Sequence, residues 1–244
     1  MPRTTASNRI ITRNQSYSLF TTVNTSYLKT NYAINPSNTI FSIGIWVLLR
    51  ASVNLPTLLA QLSGSGTGRA YLYWPTVPGV ITTVLDGTAI AGTKKFTQNK
   101  WYFIGISSNF NIPNVSVYYG ENGAITQDIN APVAPSSNDG NLIILNNRIL
   151  SNKLDGFTTE YRIFTGVAFS AAEWLSYYRD NSFSRTGLQQ ELLFSEGTGT
   201  TVADTSGNGM NATFNNTPQW SGVTFSKLKT AAVGRTNAVG RVTV

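Results

Sequence analysis

The stretch from Asn152 to Asn181, NKLDGFTTEYRIFTGVAFSAAEWLSYYRDN, constrains the fold more than any other part of the chain. It opens on Asp155-Gly156, a pair suited to a tight corner because glycine accepts positive φ without strain. Phe157, Thr159, Tyr161 and Ile163 then alternate with Thr158, Glu160, Arg162 and Phe164, the period of two expected of a strand with one buried face. Past Thr165-Gly166 the pattern changes. Ser170 with Glu173 three residues on makes a capping box, and Phe169 and Trp174 hold the positions of a hydrophobic staple. The spacing predicts a short helix from about Ala171 to Arg179, with Trp174, Leu175 and Tyr178 on its apolar face.

The rest of the chain reads as strands and turns. Strand patterns cover Tyr17 to Val23, Tyr27 to Ile34, Ile40 to Arg50, Leu55 to Leu62 and Arg69 to Trp74. Gly79 to Leu85 leads into an Asp86-Gly87 hairpin turn, followed by Lys94 to Phe96, Trp101 to Ser107 and Val115 to Tyr119. Residues 130–140, rich in Pro, Ser and Asn, read as a surface loop before a short buried strand at Leu142 to Leu145. Gly187 to Phe194, Asn211 to Phe214 and Trp220 to Phe225 complete the set. Ser63 to Gly68 (SGSGTG) lacks the Lys-Ser/Thr and the following helix that phosphate binding needs, and reads as a solvated hairpin tip.

The order D-G-F-x-x-E-Y-R-I-F-x-x-x-A-F-S-A-A-E-W resembles the closing strand and short helix of laminin-G-like domains, in the concanavalin A-like lectin/glucanase superfamily. Thr39 to Trp46 (TIFSIGIW) is similar to that family's early core strand. Lys100 to Ile106 (KWYFIGI) is similar to its central one, with Asn114 to Gly120 in place of the usual hairpin strand. Tyr17 to Ile34 resembles the opening hairpin. Glu196 to Asp204 followed by TSGNG is similar to a segment of bacterial and viral members that often precedes the domain, whereas here it follows. The resemblance implies an all-β, concanavalin A-like antiparallel β-sandwich (jelly roll) of phage or viral type, with one short helix near 171–179. It would span 16–225, between a basic arm (1–15) and a basic tail (226–244).

Composition narrows the chemistry. Among 244 residues there is no cysteine, so disulfides and thiolate metal sites are excluded, and no histidine, which removes the usual general base. Charged residues make up only 12%, which suits a β surface solvated by hydroxyls and amides. The start, MPRTTASNRIITRNQ, has no apolar run typical of a secretion signal, and no stretch reaches the length of a membrane span. The expectation is a soluble chain made in a host cytoplasm.

Charge is unevenly placed. Arg3, Arg9, Arg13 and Lys29 give residues 1–30 a charge of +4, and Lys227, Lys229, Arg235 and Arg241 give residues 222–244 another +4. Residues 31–221 hold ten basic and eleven acidic side chains, −1, which completes the formal +7. The tail repeats a short unit, Ala232 to Thr236 and Ala238 to Val242, which suits an extended arm ordered on a partner, the alternative being an idle tail. Four charges in about thirty residues are too thin for packing nucleic acid.

The superfamily's glucanases, by resemblance, cluster catalytic carboxylates as E-x-D-x-E. Here no two acids lie within four positions, although a pair could still meet through folding. Tyr71, Tyr73 and Trp74 end a strand beside a proline and offer rings either to the core or to a sugar face. Trp46, Trp101 and Trp174 read as core. Asp204 and Asn208, in the DTSGNG turn, could ligate a structural calcium or form a self-capped Asx turn; no other cofactor is indicated.

The sequence therefore points to a non-enzymatic virion or particle-surface protein. Arg3, Arg9, Arg13, Lys227, Lys229, Arg235 and Arg241 would anchor it to capsid or tail proteins, with glycan adhesion and homo-oligomerisation as further roles. The alternatives are a free carbohydrate-binding lectin or adhesion module and, third, a glycan hydrolase.

Overall fold

A computed structural model of the chain describes residues 17–19, 27–34, 40–50, 57–61, 70–74, 79–85, 88–109, 111–112, 114–132, 140–144, 154–216 and 219–221. In chain order the strands begin β1 (Tyr17–Leu19), β2 (Tyr27–Ile34), β3 (Ile40–Leu49), β4 (Thr57–Gln61), β5 (Ala70–Tyr73) and β6 (Gly79–Leu85). They continue with β7 (Thr88–Phe96), β8 (Trp101–Asn109), β9 (Asn114–Glu121), β10 (Ala124–Ala131), β11 (Gly140–Ile144) and β12 (Gly156–Thr165). After helix α1 (Ala171–Asp180) come β13 (Leu188–Leu192), β14 (Thr201–Val202), β15 (Ala212–Asn215) and β16 (Gln219–Ser221).

Two antiparallel sheets stack as a sandwich. One is ordered β10-β9-β8-β3-β12-β1-β16, with β13 also on β12; the other runs β14-β15-β2-β11-β4-β5-β6-β7. β1 and β2 lie in different sheets, β1 on β12 and β16, β2 on β11 and β15, so the expected opening hairpin is not formed. The segment resembling one that often precedes the domain supplies β14, which pairs with β15 at the edge of the second sheet. Strand β10 was not foreseen. It is an edge strand with few buried residues, so its period is faint.

Strict alternation in β3 and β8 builds the fold's two cores. Phe41, Ile43, Ile45, Val47 and Leu49 point between the sheets with Tyr102, Ile104 and Ile106, against Leu28, Leu72, Ile81 and Phe96. Their neighbours Trp46 and Phe103 point outward and join Phe164, Phe169, Trp174 and Tyr177 in a second, aromatic cluster beneath α1. The first sheet is thus covered on both faces, which is why IFSIGIWVLL reads as a nearly unbroken apolar run.

Helix α1 is seated by a socket of small residues. Gly44 and Gly105 are direct cross-strand partners, and so are Ser42 and Ser107. A Cβ on Gly44 or Gly105 would lie 3.0 or 2.9 Å from the Trp174 ring. Ser42 Oγ accepts from Phe169 N (2.8 Å) and donates to Val167 O (3.0 Å). Ser107 Oγ donates to Phe169 O (2.7 Å) and accepts from Trp174 Nε1 (2.9 Å).

The capping box of Ser170 and Glu173 forms as predicted, and Phe169 and Trp174 meet as the staple, with ring centroids 4.8 Å apart. The helix ends at Asp180, where Asn181 caps it with φ 51°. Its buried face carries Trp174 and Tyr177 with half-buried Tyr178 packed beside them; Leu175, also half-buried, is not part of that aromatic cluster, so its place on the face is corrected. Among the described residues no helix is long and apolar enough to cross a membrane.

One further expectation fails. The single alternation read along β12 breaks at a bulge between Thr159 and Arg162, where the register against β3 slips. Phe157 packs on the helix side, Tyr161 and Ile163 between the sheets, and Phe164 on the helix side again. One extra residue reverses the alternation. Glu160, at the bulge, adopts φ 49°, a conformation that costs a non-glycine residue about 1–3 kcal/mol.

Candidate functional site

Trp74 follows β5, and its ring is fully enclosed (0% exposed), set edge-on to Phe96 at 5.7 Å in the core between the sheets. No face of it is open to a sugar, so its ligand role is withdrawn and its core role stands. Tyr71 and Tyr73 lie in β5, an interior strand between β4 and β6; their side chains fall outside the described residues. Arg3, Arg9, Arg13, Lys227, Lys229, Arg235 and Arg241 lie outside them altogether.

Asp204 and Asn208 form a self-capped turn. Asp204 Oδ1 accepts from the backbone N–H of Glu191 and of Ser206, both at 2.9 Å. Its Oδ2 accepts from Ser206 Oγ (2.8 Å) and Met210 N (2.9 Å). Burial pushes this carboxyl up, but the Glu191, Ser206 and Met210 amides outweigh it and hold it below the ordinary value. Asn208 donates its side-chain N–H to Leu188 O and Gln189 O. Four donors occupy the Asp204 oxygens, and no cluster of three metal-ligating side chains occurs among the described residues.

The structure brings together charges that the linear sequence keeps apart. Arg162, 1% exposed, points from β12 into the aromatic cluster. Its Nε donates to Glu191 Oε1 on β13 (2.6 Å), and its NH1 donates to Tyr177 OH (2.6 Å) and reaches Glu160 Oε2 at 3.5 Å. Its guanidinium lies 5.2 Å from the Tyr177 ring and 4.8 Å from that of Phe183. Arg185 donates to Glu191 Oε2 (3.2 Å) and, through NH2, to the carbonyls of Thr205 and Ser206. Thr205 Oγ1 also donates to Glu191 Oε2 (2.9 Å).

Each shift has a nameable cause. Burial raises Glu191, yet Arg162, Thr205 and Arg185 pull it down further, so it stays ionised below the usual carboxylate range. Burial lowers Arg162, and Tyr177, Glu160 and Glu191 together raise it above its ordinary value. Burial pushes Tyr177 up to about 12, against the pull of Arg162.

This network borders open space. A cavity of about 370 Å³ is lined by Arg162, Asn181, Phe183, Arg185, Glu191 and Thr205, with Leu193. A second, of about 390 Å³, is lined by Val167, Phe169, Glu173, Ser176, Ser182 and Thr186 among others. Half-buried Phe183 lines both, and the pair of cavities sharing this ring is called the furrow. α1 and the loop after it build this furrow, and the socket beneath Trp174 fixes the helix.

Tyr71, Tyr73 and Trp74 match the pattern of a sugar site because exposed rings bind sugars. Two other signals lay nearby: Glu160 and Arg162 within the buried run EYRIF, and Glu191 within QQELLF, in a chain otherwise poor in charge. Charges inside core strands must find partners.

No family model matches the sequence, and no curated protein matches it. Solved structures do. A protein from Bacteroides ovatus, described as a candidate carbohydrate-binding protein, superposes over 88% of this chain with a TM-score of 0.66 at 12% identity; the chain spans 62% of its length. The likeness shows the fold alone. A heptameric SAP-like pentraxin from Limulus polyphemus matches 68% of this chain and 82% of its own (TM-score 0.52, 11% identity). The extracellular region of zebrafish Gpr126/Adgrg6 matches 87% of this chain and 27% of its own (0.54, 14%). The chain shares the antiparallel sandwich of these carbohydrate-binding and pentraxin proteins.

Proposed function

We propose that this chain is a non-enzymatic, lectin-like module of laminin-G-like type that binds glycan in the furrow around Phe183. The observation carrying this reading is the furrow itself: an aromatic ring shared by two open cavities lined by hydroxyls, an amide and a fixed ion pair. Sugar sites combine these features, an apolar face for the ring carbons and a few oriented polar groups for the hydroxyls. The Bacteroides ovatus relative, described as a candidate carbohydrate-binding protein, agrees with this reading but does not carry it.

Non-enzymatic binding is favoured by how the carboxylates are used. Hydrolysis needs two carboxyls whose environments push their pKa values apart, one acid and one base. Glu160 and Glu191 instead converge on one arginine, and Glu191 is held low. No cofactor enters this reading.

A second reading concerns place. Residues 16–225 are formally neutral and the two arms, 1–15 and 226–244, carry +7 between them, which favours display on a virion or similar particle, with the arms on capsid or tail proteins. Deleting residues 226–244 should release the domain from such particles; unchanged attachment would count against it. Binding is tested on a glycan array with the native chain and Phe183→Ala. Signal lost in a folded variant supports the furrow, and signal retained contradicts it.

A further inference from the structure

We infer that the sugar taken by this furrow is neutral and is recognised through a pair of adjacent hydroxyls by Arg185 and Glu191, not through an acidic group. The inference rests on the proposed binding role of the furrow and adds the ligand's class.

The first reason is charge. Glu160 and Glu191 face Arg162 and Arg185, two acids to two bases, all linked by ion pairs. Glu173 lines the second cavity, and no base lines that cavity. The furrow as a whole therefore carries no surplus positive charge. Helix α1 also ends here, with Asn181 in the cavity wall, and a helix C-terminus presents partial negative charge. A sugar carboxylate or sulfate would meet two unfavourable fields and no unneutralised cation.

The second reason is hydrogen-bonding capacity. Of the five N–H donors of a guanidinium, Arg185 commits three, to Glu191 Oε2 and to the Thr205 and Ser206 carbonyls. Two donors are left, on a side chain that is 53% exposed and lines the cavity. The Glu191 carboxylate, 7% exposed in the cavity wall, accepts from Arg162, Arg185 and Thr205, three of roughly four lone-pair sites. A spare donor beside a spare acceptor matches two neighbouring hydroxyls, each of which can donate and accept. The carbon face of the same ring would then rest on Phe183. Because the polar groups are already fixed by one another, little ordering is left to binding.

The test compares galactose and glucose trisaccharides with the matching galacturonate and glucuronate trisaccharides, which differ by one carboxylate per residue. Titrations use the full chain and the variants Arg185→Gln and Phe183→Ala, each checked for native near-UV circular dichroism. The expected result is that the neutral sugars bind at least about tenfold tighter than the acidic ones, with affinity insensitive to salt, and that Arg185→Gln loses about tenfold. Preference for the uronates, lost on Arg185→Gln, would overturn the neutral class and leave the furrow as the site. Binding of either kind untouched by both variants would overturn the furrow itself. No binding to any of the four would count against both.

Discussion

Trp174 donates its indole N–H to Ser107 Oγ across 2.9 Å while its ring lies against Gly105, two residues earlier on the same strand. A residue of the only helix among the described residues is thereby fixed to the central strand by a hydrogen bond and a close approach at once. Everything the helix carries, including the wall of the furrow, takes its position from this seat.

Adding a methyl group at Gly105 should therefore unseat the helix. Its Cβ would lie 2.9 Å from Trp174 Cδ2 and Cε2, rigid ring atoms that cannot swing aside. We expect Gly105→Ala to lower stability by about 1–3 kcal/mol, the usual cost of overpacking, read from urea unfolding. No loss would mean that Trp174 does not sit where described.

Removing Arg162 should be costlier. Arg162→Met takes away the arginine on which the buried carboxylates of Glu160 and Glu191 converge. Breaking such a network from one side costs about 3–5 kcal/mol. Adding Glu160→Gln and Glu191→Gln should recover part of the loss. Failure to recover any would show that the cost lies in packing against Tyr177 and Phe183.

Acid should weaken the fold in a defined direction. Glu191 and Asp204 both sit below their ordinary values of 4.5 and 3.8, so the folded chain binds fewer protons than the unfolded one. Their contribution is complete above those values and is lost as pH falls through the folded ones. Unfolding followed from pH 7 downward should show stability falling below about pH 5. Glu191→Gln should flatten part of that fall.

Calcium should not matter to the Asp204 turn. Both carboxylate oxygens already accept from N–H or O–H donors, which would have to turn away before a cation could bind. We expect the thermal midpoint to be the same in millimolar calcium and in chelator. A rise with calcium would reinstate the metal reading.

Much of this fold was legible because local signals agreed with the global one. The capping box of Ser170 and Glu173 and the spans of β2 and β3 all depend on neighbours in sequence. The β12 bulge was not legible. Glu160 takes a left-handed conformation that its own side chain does not favour, and its carboxylate reaches Arg162, which is paired with Glu191 on β13. The candidate site was hidden for the same reason. Phe183, Arg185 and Glu191 are separated in sequence from Arg162, and only the pairing of β12 with β13 brings them to one place. Trp74 misled because aromatic residues at a strand end look the same in sequence whether they face a core or a sugar.

The claim on which the rest depends is that ligand enters beside Phe183. Hydrogen–deuterium exchange of the full chain, with and without a saturating glycan hit from the array, tests it directly. The account predicts slowed exchange centred on residues 181–187 and at Thr205, with β5 unchanged. Protection confined to residues 70–74, or protection nowhere despite saturation, would contradict it.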